Sequence, residues 1–120
     1  MRRRPGGFAV LSGDDWLAFA VVTAGGDGLI SVTSNEAPAA MTELVQAARD
    51  GELARARACQ HRLLPLMDAN FLETNPAPVK AALGYMGRIR DGLRLPLVPA
   101  GQATRAALTE ALAGVGIHGH

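Results

Sequence analysis

The chain has 120 residues, a formal net charge of +1, 48% apolar residues and 19% charged residues. That length fits one domain, and the near-neutral charge gives no footprint for a nucleic-acid partner. The charged share falls below the usual value of about a quarter, so some apolar surface is expected to lie against another subunit or another stretch of polypeptide.

Arg2-Arg3-Arg4 is the only basic run, and it reads as a solvated chain start rather than a phosphate-binding arm. A single cysteine, Cys59, excludes an intrachain disulfide and fits a reducing, cytoplasmic setting. It lies in a helical pattern without activating neighbours and reads as an inert thiol. No apolar run approaches the ~18 residues of a membrane span. Gly13-Asp14-Asp15 interrupts any leader-like core behind the arginines, so neither export nor a membrane partner is expected.

Phe8–Leu11 reads as a first short strand, ending at Ser12-Gly13-Asp14-Asp15. Trp16–Ala24 carries no charge and is apolar nearly all round, the pattern of a helix buried on more than one side or lying at a subunit interface. Gly25-Gly26 stops it. Leu29–Thr33, uncharged and rich in β-branched residues, then reads as a buried parallel strand. Strand, helix and strand at this spacing predict a βαβ unit with a right-handed crossover. Two strands are too few to close a sheet.

The remainder is helical. Pro38 suits a first helical turn, and Met41, Leu44, Val45 and Ala48 share a face. Gly51 is a helix stop. A second helix from near Glu52 presents Leu53, Ala56, Leu63, Leu64, Met67 and Phe71, and Pro65 is expected to kink or split it. Thr74-Asn75-Pro76-Ala77-Pro78 predicts a rigid, extended connector. A third helix spans Val79–Met86 and ends at Gly87. Arg94–Pro99 is a second extended connector, and a last helix near Gln102–Ala113 gathers Leu108, Ala111, Leu112 and Val115.

Asp14-Asp15 is the sharpest polar pair. At the carboxyl end of a parallel strand it suits acid/base or metal chemistry; the preferred reading is a helix cap. Adjacent residues rarely aim at one ion, and His61, His118 and His120 are scattered, so neither a metal, a triad nor any cofactor is expected. Gly25-Gly26-Asp27-Gly28 precedes a strand, whereas phosphate loops stand between strand and helix, which favours a turn. Lys80 is the only lysine and hence the only Schiff-base candidate. It sits at the start of an amphipathic helix rather than on a barrel strand. Tyr85 reads as a packing residue.

Four segments in order, Leu11-Ser12-Gly13-Asp14-Asp15, Gly25–Asn35, Asn75-Pro76-Ala77-Pro78-Val79-Lys80 and Leu95-Pro96-Leu97, resemble the C-terminal portion of the dihydrodipicolinate synthase family. The resemblance covers nearly all of the chain from Phe8 on. It implies an α/β fold: the C-terminal part of a (β/α)8 TIM barrel, the last two βα units over residues 1–50, plus a C-terminal helical appendage over 51–120. Phe8–Leu11 would be the seventh barrel strand and Leu29–Thr33 the eighth. Met1–Arg4 would lie where the preceding helix ends.

The family condenses pyruvate with aspartate semialdehyde in lysine (diaminopimelate) biosynthesis, through a Schiff base on a strand lysine, usually as a homo-oligomer. By resemblance, Ile30 would touch pyruvate through its backbone carbonyl, Gly13 would line the same pocket, and Asp14 and Asp15 would stand at its rim. The family's Schiff-base lysine, its tyrosine-and-threonine relay, the arginine for the second substrate and the feedback site all lie upstream of the matching stretch. Lys80 matches an appendage lysine instead. No catalytic residue is therefore expected here, and the chain is expected to be inactive alone, to self-associate, and to need a missing barrel half. Two alternatives stand beside this: a non-catalytic helical interaction module, and a piece of the related keto-acid sugar aldolases. The Gly-Asp-Asp and Ile-Ser-Val-Thr-Ser-Asn forms lean towards the synthase.

Overall fold

The computed structural model of the chain describes residues 4–119. Expectations that rest on Met1, Arg2, Arg3 and His120 fall outside the described residues. Arg4 pairs through its guanidinium with Asp27. That carboxylate also accepts the Val10 N–H at 2.8 Å. Together the Val10 amide and the Arg4 charge hold Asp27 below the usual carboxylate range.

β1 (Leu11–Ser12) and β2 (Gly28–Leu29) pair in parallel, with Leu11 opposite Gly28 and Ser12 opposite Leu29. Helix α1 (Ala18–Thr23) connects them. The βαβ order matches the sequence reading, but both strands are shorter than expected and displaced. Phe8–Val10 lies outside the paired segment, although Asp27 N–H still donates to the Val10 carbonyl at 2.8 Å.

The expected second strand, Leu29–Thr33, is corrected at its far end, because Thr33–Asn35 forms a 3-10 turn. The cause is local competition for the backbone. Asp15 Oδ2 accepts from the amides of Val32 at 3.1 Å and Thr33 at 2.9 Å. Ser31 Oγ accepts from the Ser34 amide at 2.8 Å. Side-chain acceptors thus take the N–H groups that an extended strand would offer to a neighbour, and they outweigh β-propensity.

Helix α1 also begins later than Trp16 and is covered on one side only. Ala18 and Val22 are buried, whereas Leu17 is 53% exposed. Gly25, with φ +97°, turns the chain out of the helix. A Cβ on Gly26 would come within 2.7 Å of the Val21 carbonyl oxygen, so the Gly25-Gly26 pair is a turn device.

Helices α2 (Pro38–Arg49), α3 (Leu53–Ala69), α4 (Ala77–Tyr85) and α5 (Gln102–Gly114) form the rest. Their shared core contains Leu44, Leu63, Leu66, Met67 and Leu112. Gly51, at φ +77°, ends the first of them. Helix α3 runs through Pro65 without splitting. Pro65 and His61 lie on the exposed side, so the His61 carbonyl that loses its donor can face water.

The Thr74–Pro78 connector is not extended as expected. It is a turn with a cis Asn75–Pro76 bond, and Ala77 and Pro78 already belong to α4. The chain's radius of gyration is 15.4 Å. A compact chain of this length would give ~13.6 Å. The excess reflects helices laid beside a two-stranded edge rather than around a closed sheet.

Candidate substrate wall at the strand ends

Because β1 and β2 run in parallel, their carboxyl ends lie side by side. Ile30 N–H donates to the Ser12 carbonyl at 2.8 Å. That bond extends the register just far enough to bring Ile30 beside Gly13. Ile30 is 71% exposed; Gly13 is exposed too, with open space around the position a Cβ would take. A backbone carbonyl and a bare glycine on an open sheet edge can accept a hydrogen bond and admit a small ligand without steric cost.

Asp14 is half-buried at the rim. Its Oδ1 accepts from the Trp16 amide at 2.8 Å, and its carbonyl accepts from Ser12 Oγ at 2.7 Å. The helix-cap reading of the aspartate pair is corrected for both residues, since Asp14 closes a turn ahead of α1 rather than capping it. The residue before α1 is Leu17, which makes no side-chain cap. Asp15 reaches across to Val32 and Thr33 instead.

Behind this wall lies a buried polar cluster that spacing rules did not single out. Glu36, Gln60 and Asn70 are at most 6% exposed. Asn70 Nδ2 donates to Glu36 Oε2 at 2.7 Å and lies 3.4 Å from Thr33 Oγ1. Gln60 Nε2 donates to the Trp16 carbonyl at 3.1 Å. Burial pushes Glu36 up to about 7; the Asn70 hydrogen bond opposes this and the Asp15 carboxylate adds to it. Helix phase carries the missed signal: Gln60, and Asn70 at the C-terminal cap, continue the stripe of α3 that holds Leu63, Leu66 and Met67.

Lys80 does not lie on a strand. It lies on α4, and its Nζ donates to the Gly92 carbonyl. Tyr85, expected as a packing residue, is 40% exposed, with one edge of its ring beside Gly119. Cys59 is buried, and burial holds its thiol above the usual range, which suits an inert side chain. His61 and His118 are exposed. Among the described residues, no group of three or more His, Cys, Asp or Glu is arranged to hold a metal ion. Among the same residues no helix is long and apolar enough to cross a membrane.

An open groove of about 580 Å³ runs beside β2 and α2, lined by Leu11, Leu29, Met41 and Val45 among others. It leaves an apolar flank next to the strand pair. A separate groove of about 440 Å³ between α4 and α5 holds the Arg105–Asp91 ion pair.

A sequence profile of the dihydrodipicolinate synthetase family matches residues 2–114. The chain is 51% identical over 114 residues to a 4-hydroxy-tetrahydrodipicolinate synthase of Acidobacterium capsulatum, covering 95% of this chain and 37% of that protein. It superimposes on dihydrodipicolinate synthase of Aquifex aeolicus with a TM-score of 0.93 at 36% identity, covering 98% of this chain and 40% of that one. The chloride-inhibited enzyme of Acinetobacter baumannii, complexed with pyruvate, matches at a TM-score of 0.88 and 43% identity, over 92% and 38% of the two chains. The chain therefore spans well under half the length of these relatives, and it corresponds to their C-terminal portion.

Proposed function

Because the chain belongs to the dihydrodipicolinate synthetase family, we propose that it supplies one wall of a pyruvate-binding Schiff-base lyase and does not turn over alone. In this reading residues 1–50 are the last two βα units of a TIM barrel and 51–120 the appended helices. The observation that carries it is the gathering of Gly13, Asp14 and Ile30 at the strand ends, with the only lysine, Lys80, on α4 and engaged by the Gly92 carbonyl.

Each residue then has a limited task. The Ile30 backbone carbonyl touches bound pyruvate, Gly13 leaves room for its methyl or carboxylate end, and Asp14 stiffens the rim through the Trp16 amide. A lysine amine from polypeptide outside this sequence adds to the pyruvate ketone and expels water, giving the Schiff base whose enamine attacks the aldehyde. Aspartate semialdehyde is the proposed second substrate, and the setting is cytoplasmic. The physical argument for inactivity alone is the nucleophile: the amine of Lys80 is held on α4 by the Gly92 carbonyl and is not placed on a strand beside the proposed pyruvate wall.

Borohydride reduction in the presence of pyruvate tests this. The chain alone is expected to gain no covalent adduct. A mixture with the remaining part of a family enzyme is expected to trap pyruvate on a lysine outside this chain. Trapping on Lys80 would overturn the proposal. A second reading, a non-catalytic module that pairs with a barrel half, draws support from the exposed Phe8, Leu11 and Ile30, of which Leu11 lines the groove. Binding in the same mixture without any trapped adduct would favour it.

A further inference from the structure

We propose that Asp15, Glu36 and Asn70 form a proton-held latch, in which one proton on Glu36 keeps the turn after β2 docked on the end of α3 and its loss loosens that joint. The geometry joins two regions far apart in sequence. Asp15 holds the Val32 and Thr33 amides, and Asn70, just past α3, bridges Glu36 and Thr33. Asp15, Thr33, Glu36 and Asn70 are each no more than 2% exposed, so water does not screen them freely.

Donors and acceptors do not balance in the ionised state. Asp15 Oδ1, Glu36 Oε1, Gln60 Oε1 and Asn70 Oδ1 are buried acceptors with no donor. The Asn70 amide hydrogens already go to Glu36 and Thr33, and those of Gln60 lie towards the Asp15 and Trp16 carbonyls. The Thr33 hydroxyl hydrogen is the remaining side-chain donor in the cluster. A carboxylic acid at Glu36 adds a donor and removes one of two buried negative charges.

Among the described residues, no cation is paired with those two carboxylates. The Asp15 carboxylate is the charged group that acts on Glu36. Asp68 of α3 accepts the Trp16 indole N–H. Glu43 of α2 pairs with Arg55 and Arg62, Arg49 acts on Asp27, and Lys80 of α4 reaches Gly92. α1 carries no charged residue. The upward displacement of Glu36 to about 7 puts the change of state near neutrality.

The test follows the Glu36 side-chain carbon by carbon-detected NMR, alongside amide exchange, in the 120-residue chain. Glu36 is expected to titrate near neutrality. Val32 and Thr33 protection factors, corrected for intrinsic base catalysis, should fall on the order of a hundredfold between about pH 5 and about pH 8.5. E36Q, which keeps a neutral group of the same shape, should remove that fall. Titration of Glu36 near the ordinary ~4.3 would overturn the latch, even if E36Q failed to fold. So would protection that stays constant with pH, or a fall that survives in E36Q.

Discussion

The helical half and the strand half of this chain treat their apolar residues differently. Leu44, Leu63, Leu66, Met67 and Leu112 are fully enclosed by one another's helices, whereas Phe8, Leu11 and Ile30 stand 62%, 47% and 71% exposed. The helices bury most of their own long apolar side chains, although Leu53 of α3 stays 52% exposed; the strands present a face that, in the family, further barrel strands would cover. Stability and function are therefore separated in space. The residues that hold the fold lie in α2–α5, and those proposed to meet substrate lie where the fold is least closed.

Leu66→Ala should give the largest effect. Leu66 is 0% exposed, and loss of an enclosed leucine leaves a cavity costing about 3–4 kcal/mol, read as a drop in the urea midpoint. An equal cost for truncating Ile30 would break the comparison.

Next comes pH. The folded chain raises Glu36 from its ordinary 4.5 to about 7. Between those values the folded state holds a proton that the unfolded chain has lost. The contribution is full below pH 4.5, declines as pH rises to about 7, and is then lost; over that window stability falls by up to about 3 kcal/mol. Urea titrations at several pH values measure it.

Asp15→Ala sharpens the contrast from the strand side, since it strands the Val32 and Thr33 amides. One buried and one part-buried donor without an acceptor cost about 2–3 kcal/mol, while removal of the nearby carboxylate should draw the Glu36 titration downward. Chemical-shift titration of the variant reads the second effect.

The smallest expected effect is Ile30→Ala, with little change in unfolding midpoint because the side chain is exposed. A change to Ile30→Asp should instead weaken association with a complementary barrel half, seen by sedimentation. If both variants behave alike there, the strand face is not a contact surface.

Much of the helical half was legible in the sequence because its signals are redundant. Gly51, Pro38 and the Met41–Ala48 periodicity all mark the same helix. The strand half was less so. Leu29–Thr33 has the composition of a strand, yet Asp15, more than a dozen residues earlier, takes the Val32 and Thr33 amides and bends the chain into a turn. Only contact between distant residues decides that outcome. Glu36, Gln60 and Asn70 were missed because a polar residue is ordinarily solvated. At Gln60 and Asn70 the hint was position within an apolar stripe. The resemblance pointed to Gly13, Asp14 and Ile30, and the register of β1 and β2 independently gathers Gly13 and Ile30.

Trp16 is the only tryptophan in the chain. Its indole N–H reaches Asp68 at 2.7 Å, and its ring lies 5.0 Å from that of Phe71. The single strong fluorophore thus straddles the seam between the strand half and α3. Its emission reports whether that seam is shut, while circular dichroism reports the helices alone. Any denaturant range in which the two signals part company would mark a species with intact helices and a detached edge: a hinge made visible without a label.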